Sequence, residues 1–379
     1  MKVAESKTKS IYKTYMIYFL CMVCFLAIRI AYSNGFLDFN DASVNNMVST
    51  IIIQVLIMFL LPFGLYCLLL KVKPKKLLNT CNYYKLNNRA ILISFAIGVV
   101  VFILNIAIST FFSTVISFFG YRSAGSSSSS HIYSVSNLFL DLILTAVLPA
   151  FCEEFLHRGM LLQGTKHAGF KRAIVMSSLM FGFMHFNINQ FFYATFIGFI
   201  IGLISVVAKN IWPAIIVHFT NNAIGVYLEY ANANGWFGSN FYTTLGNFFS
   251  SQSLLFVFLT TFIFLSLIFI LLTYLIFALY KLTILRKVEN AVNEVYNNKD
   301  EWVANSPVSI RQNRAIKHVV ESTTTLNLNF EEMRNPIDAV LPKQPNKYKT
   351  TLRDRVFVVG CVVLGSLVTV FTFIWGVIY

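Results

Sequence analysis

Apolar runs long enough to cross a bilayer recur along this chain, and lipid permits few folds. A hydrocarbon core about 30 Å thick is crossed by about 20 apolar residues in a helix. Such runs occupy roughly 14–33, 48–70, 90–119, 135–156, 173–192, 190–208, 211–230, 252–281 and 355–379. Backbone N–H and C=O groups find no water in hydrocarbon, so open sheet edges are excluded there and helices are expected. The expectation is an all-α, polytopic membrane helical bundle of about 8–9 transmembrane helices. Composition agrees. Only 12% of the 379 residues are charged, against 56% hydrophobic, whereas a soluble domain carries about 25% charged residues.

The net charge of +14 does not indicate a nucleic-acid face, because the cations cluster in short loops between apolar runs. Lys71, Lys73, Lys75, Lys76, Lys85 and Arg89 follow the second run. Arg158, Lys166, Lys171 and Arg172 follow the fourth, and Lys281, Arg286 and Lys287 follow the eighth. The alternate loops 34–47, 120–134 and 231–251 are poor in Lys and Arg. This alternation predicts a cytoplasmic N-terminus, and nine spans then put Tyr379 outside. The basic start MKVAESKTKSIYK precedes a long run with no clear A-x-A cleavage site, so it reads as a retained first span rather than a signal peptide. Of the six Cys, Cys21 and Cys24 form a C-x-x-C inside the first run, where helix packing is the expected role. No zinc-finger spacing and no disulfide framework is present.

Five regions follow. They are an N-terminal membrane region (1–134), a membrane core that carries the buried polar residues described below (135–230), an outer loop with a helix (231–284), a polar cytoplasmic linker (285–354) and a last helix (355–379). Gly125 to His131, GSSSSSH, reads as a flexible outer loop. A short helix is expected around Val288–Tyr296.

The fourth run ends in Cys152-Glu153-Glu154-Phe155-Leu156-His157-Arg158-Gly159. A carboxylate at mid-membrane costs roughly 2.5–3.5 kcal/mol on the insertion scale, so two in succession mark a functional site. Adjacent helical residues point about 100° apart, which lets the two acids do different jobs. Glu154 and Arg158 stand at i and i+4, as do Glu153 and His157. The Arg can neutralise one carboxylate and leave the other free to take a proton. Pro149 cannot donate to the carbonyl of Thr145, so a kink is expected there.

Two further runs carry deep histidines. His185 lies roughly 20 Å past Arg172, and His218 roughly 13 Å past Lys209, at 1.5 Å per helical residue. Asn222 shares a face with His218. With Glu153 a few residues inside Arg158, these groups can meet in the cytoplasmic half of the bilayer. A Glu, two His and an Asn suit hydrolysis. The carboxylate acts as general base on water, and a His with an Asn amide stabilises the oxyanion. Alternatively Glu153, His185 and His218 ligate zinc and leave a position for water. Other protease chemistries fit less well: H-E-x-x-H is absent, Asp141 is the only Asp inside a run, and the serines of GSSSSSH lie in the polar loop.

Glu153-Glu154-Phe155-Leu156-His157-Arg158 resembles an E-E-x-x-x-R motif, Phe181 to His185 resembles F-x-x-x-H, and His218 to Asn222 resembles H-x-x-x-N. In this order and spacing they are similar to the CAAX prenyl protease type 2 and bacteriocin-processing (CPBP, or Abi) intramembrane endopeptidases, over about residues 135–230. The resemblance implies a helical bundle with a conical cavity open to the cytoplasmic side and to lipid. It implies Glu153 as the water-activating glutamate with His185 as partner. His218 and Asn222 would support the oxyanion or hold the water, Arg158 would stabilise the glutamates, and Glu154 would be the second acid. It implies a membrane-associated peptide or protein substrate, with zinc or a metal-free glutamate mechanism. The Lys, Asn, Ile and Phe content points to an AT-rich bacterial genome, and hence a bacterial plasma membrane and a peptide rather than a prenyl substrate. A proton-coupled transporter, or a scaffold that retains the motif, are the competing classes. The transporter would show paired half-repeats, which are not seen. The scaffold would tolerate Glu153→Gln.

Overall fold

The computed structural model describes residues 2–36, 39, 42–122, 132–250, 253–285 and 351–378. The GSSSSSH loop and nearly all of the linker, including Val288–Tyr296, lie outside the described residues. Every regular element described is helical. In chain order they are α1 (Lys2–Ser33), α2 (42–70), α3 (Pro74–Thr80), α4 (Asn88–Phe118), α5 (Val135–Ala168), α6 (Phe170–Met184), α7 (Ile188–Ala208), α8 (Trp212–Asn234), α9 (Phe241–Ser250), α10 (Leu254–Tyr280) and α11 (Leu352–Ile378).

Seven of these, α1, α2, α4, α5, α7, α10 and α11, contain stretches long and apolar enough to cross a membrane. The protein is a polytopic helical membrane bundle. The remaining two expected spans are the elements that carry the histidines. α6 is only 15 residues long. The chain turns at Phe186, whose φ of +48° is a left-handed conformation, and α7 starts anew at Ile188. The overlapping runs 173–192 and 190–208 are thus separated by three residues. α8 has 23 residues, but His218, Asn221, Asn222 and Glu229 lower its apolarity.

Two apolar clusters hold the bundle. One joins α1, α2, α5, α6 and α11 through Tyr18, Met22, Phe155, Leu161, Met180 and Cys361. The other joins α4, α7, α8 and α10 through Ile97, Val101, Ile201, Val217 and Leu272. The six cysteines are free, and Cys21 packs in the first cluster as expected.

α5 corrects one expectation. Its helix does not end near residue 156 but runs to Ala168, and every side chain from Phe155 to Thr165 is buried. Arg158 is therefore not a loop cation. Phe155, Leu156, Met160, Leu161 and Leu162 continue the apolar surface past the charges, so burial against α1, α2 and α6 outweighs the tendency of an Arg to mark a membrane boundary.

Candidate active site

Pro149 sits inside α5 and has no N–H for the carbonyl of Thr145. Asn222 Nδ2, from α8, donates to that carbonyl at 3.0 Å. The proline thus creates an acceptor that the asparagine fills. The helix is π-helical on both sides, over Leu142–Val147 and Phe155–Leu162. Such wider turns recur at functional sites because they re-aim side chains without ending the helix.

The two glutamates, adjacent in sequence, have different surroundings. Glu154 is fully buried. Its Oε1 accepts from Arg158 Nη1 at 3.1 Å and from His218 Nδ1 at 2.8 Å. Arg158 is also fully buried. Its Nη2 donates to the Gly198 carbonyl at 2.8 Å, and its guanidinium lies 4.6 Å from the centre of the Phe181 ring. A buried ion pair persists only when its geometry and extra hydrogen bonds offset desolvation, and a guanidinium over an aromatic face adds to that. Gly198 permits the close approach. A Cβ there would stand 3.1 Å from Phe181 and 3.2 Å from Arg158 Nη2. Glu153 is only half-buried, and its Oε1 accepts from Gln54 Nε2 on α2 at 2.8 Å. Of the two acids, Glu154 is bonded to the arginine and Glu153 to Gln54.

His185 closes α6. Its Nδ1 bonds the Phe181 carbonyl at 2.8 Å. A carbonyl only accepts, so Nδ1 carries the proton and Nε2 presents a lone pair. Arg29 Nη1 donates to the His185 carbonyl at 3.0 Å, which places a cation at the negative end of the α6 dipole. His218 is held likewise: Nδ1 faces the Glu154 carboxylate, leaving Nε2 as the working atom. The Phe181 ring stands edge-on to His157, His185 and His218, with centroids 5.0, 5.1 and 5.7 Å away. His157 is fully buried. Its Nδ1 meets the Glu153 carbonyl at 2.7 Å and its Nε2 meets the Tyr18 hydroxyl at 3.0 Å.

Glu154, Arg158 and His218 are therefore joined directly. Glu153 and His185 have no direct hydrogen bond between them among the described residues. Asn222 lies one turn beyond His218, engaged by Thr145 and by Asn221 Nδ2 at 2.9 Å. Sequence reasoning missed Gln54, Tyr18, Gly198 and Arg29 as members of the site, and it placed Phe181 in a motif without giving it a role. Gln54 and Arg29 were detectable, since each is a polar side chain inside an otherwise apolar run. As for a metal, the donor types of Glu153, His185 and His218 suit zinc. Among the described residues, however, no three His, Cys, Asp or Glu side chains are gathered into a ligand set.

Residues 135–224 match the family model described as type II CAAX prenyl endopeptidase Rce1-like. Those residues span α5 to the middle of α8 and include all six of the site residues expected from sequence. No curated protein matches the chain, and no solved structure does. In the segment that builds its buried polar site, the chain is similar to the Rce1-like type II CAAX prenyl endopeptidases.

Proposed function

We propose that the protein is an intramembrane endopeptidase that hydrolyses a peptide bond in a membrane-associated peptide or protein. The observation that carries this is the unequal treatment of the two glutamates. Glu154 is bonded through Oε1 to both Arg158 and His218, while Glu153 is half-buried and its Oε1 is bonded to Gln54 rather than to the arginine. Glu153 is then the general base. As the water oxygen attacks the scissile carbonyl carbon, Glu153 takes one water proton. That proton passes to the leaving nitrogen when the C–N bond breaks. His185, with Nδ1 tied to a carbonyl, leaves Nε2 to accept a hydrogen bond from the Glu153 carboxyl once that group has taken the proton. His218 holds the oxyanion through Nε2 when that atom is protonated. The Glu154 carboxylate beneath Nδ1 fixes the ring and stabilises the charged form, as a carboxylate does behind a catalytic histidine. Asn222 braces His218 by docking α8 on the Thr145 carbonyl of α5, and its second amide hydrogen can support the oxyanion.

The second mechanism is a zinc ion held by Glu153, His185 and His218. Its donor chemistry is suitable, but the three side chains would have to draw together. The substrate enters a conical cavity from the cytoplasmic half of a bacterial plasma membrane, with the N-terminus cytoplasmic. The support for this orientation is the alternation of basic loops.

Purified protein in liposomes, given a library of membrane-tethered and short peptides, tests the proposal. Wild type cleaves, and Glu153→Gln and His218→Ala do not. Cleavage that survives both variants would remove Glu153 and His218 from the chemistry. Loss of cleavage on chelation, restored by zinc, would favour the metal mechanism, and cleavage unchanged by chelator the glutamate–water one.

A further inference from the structure

Gln54 lies on α2, far in sequence from the family-matched segment, in the apolar stretch Ile51-Ile52-Ile53-Gln54-Val55-Leu56. Its side chain is 8% exposed. Nε2 donates to Glu153 Oε1 at 2.8 Å. An ionised carboxylate accepts only, so the amide must turn its nitrogen to Glu153 and its oxygen away. That oxygen, Oε1, is buried with no hydrogen-bond partner among the described residues. An unpartnered buried acceptor beside the free glutamate calls for an explanation, since such groups are few in native proteins. The backbone here is π-helical, over Ile52–Leu60, and packs on the Pro149 segment of α5.

We propose that Gln54 is a positioning residue for the hydrolytic step, and this rests on the peptidase reading above. Its Nε2 fixes one oxygen of Glu153. Its Oε1 accepts one hydrogen of the attacking water while Glu153 accepts the other. With both hydrogens held, the water's lone pair points at the scissile carbonyl. One proton leaves with Glu153 as the C–O bond forms, and the other stays on the new carboxylic acid group. No further reactant is needed.

Gln54→Met keeps the length and loses both hydrogen bonds, and Gln54→Leu is a second apolar variant suited to a membrane helix. On a peptide that wild type cleaves in liposomes, either variant lowers kcat roughly 10–100-fold, the scale of a misplaced reacting group, with KM unchanged. An infrared measurement needs no substrate. The carboxylate band of Glu153, identified by its loss in Glu153→Gln, moves in Gln54→Met. A purely structural role would lower the yield of folded protein and leave that band in place. A band that does not move, or a kcat within twofold of wild type, overturns the proposal. If wild type cleaves no peptide, the peptidase reading fails by itself, and a moved band still shows that Gln54 holds Glu153.

Discussion

α5 and α10 are both long and apolar enough to cross a membrane, yet they use their polar side chains in opposite ways. On α10, Thr260, Ser266 and Thr273 each bond back to a carbonyl one turn earlier, those of Phe256, Phe262 and Phe269. None of these three bonds leaves the helix. Between them stand exposed Phe262, Ile263, Leu267 and Ile270, a surface fit for lipid. On α5 the polar groups around the two glutamates reach other helices. Glu153 reaches α2, Glu154 reaches α8, Arg158 reaches α7, and the Thr145 carbonyl is taken by α8. Hydropathy says that both helices span. Only where the polar bonds go separates the helix that carries the candidate site from the one that does not.

The sharpest way to break this comparison is Glu153→Gln. The substitution keeps shape and the contact with Gln54, and removes the base. Cleavage should fall by about 10²–10⁴-fold, the usual worth of a general base, with unfolding in detergent unchanged. If activity survives, α5 carries its acids for structure alone.

Arg158→Met comes next, and its readout is stability. Removing one partner of a buried pair strands the other, and should destabilise by about 3–5 kcal/mol. The double variant Glu154→Gln with Arg158→Met strands no charge and should recover most of that loss. Equal losses in single and double variants, followed by thermal unfolding in detergent, would mean that packing rather than charge holds this part of α5.

The extent to which α5 was legible follows the same line. The i, i+4 spacing of Glu154 and Arg158 foretold their pairing, because helical geometry fixes it locally. Pro149 foretold a freed Thr145 carbonyl. What filled that carbonyl was not legible, because Asn222 lies 77 positions away and only packing brings it there. The end of α5 was misplaced for a related reason. Arg158 looks like a boundary cation until Glu154, Gly198 and Phe181 are known to surround it. Gln54 was visible as an amide in an apolar run, but its partner depended on the α2–α5 contact. α6 was hidden by continuous apolarity, since nothing in Met184-His185-Phe186-Asn187 marks a left-handed turn at a phenylalanine.

Gly198→Ala sharpens the comparison at smaller scale. A Cβ at this position presses on both Phe181 and Arg158 Nη2 at 3.1–3.2 Å. Overpacking of this kind costs about 1–3 kcal/mol. Because Arg158 must shift off the Gly198 carbonyl, cleavage should weaken along with the melting temperature. A variant that loses stability with full activity would show that the Arg158–Gly198 bond holds the fold without holding the glutamates.

The smallest expected effect belongs to α10. Ser266→Ala removes one hydroxyl whose hydrogen bond returns to Phe262 on the same helix at 2.8 Å. The Phe262 carbonyl keeps its place in the helix, and a lipid-facing surface loses nothing by exchanging a hydroxyl for a methyl. The change in stability should lie within about 0.5 kcal/mol, with cleavage unaltered, measured by unfolding in detergent and by turnover in liposomes. A larger loss would mean that the hydroxyl has a partner beyond its own helix, such as a second copy of the chain. α10 would then be an interface, and the contrast with α5 would become one between two kinds of polar contact, catalytic and associative.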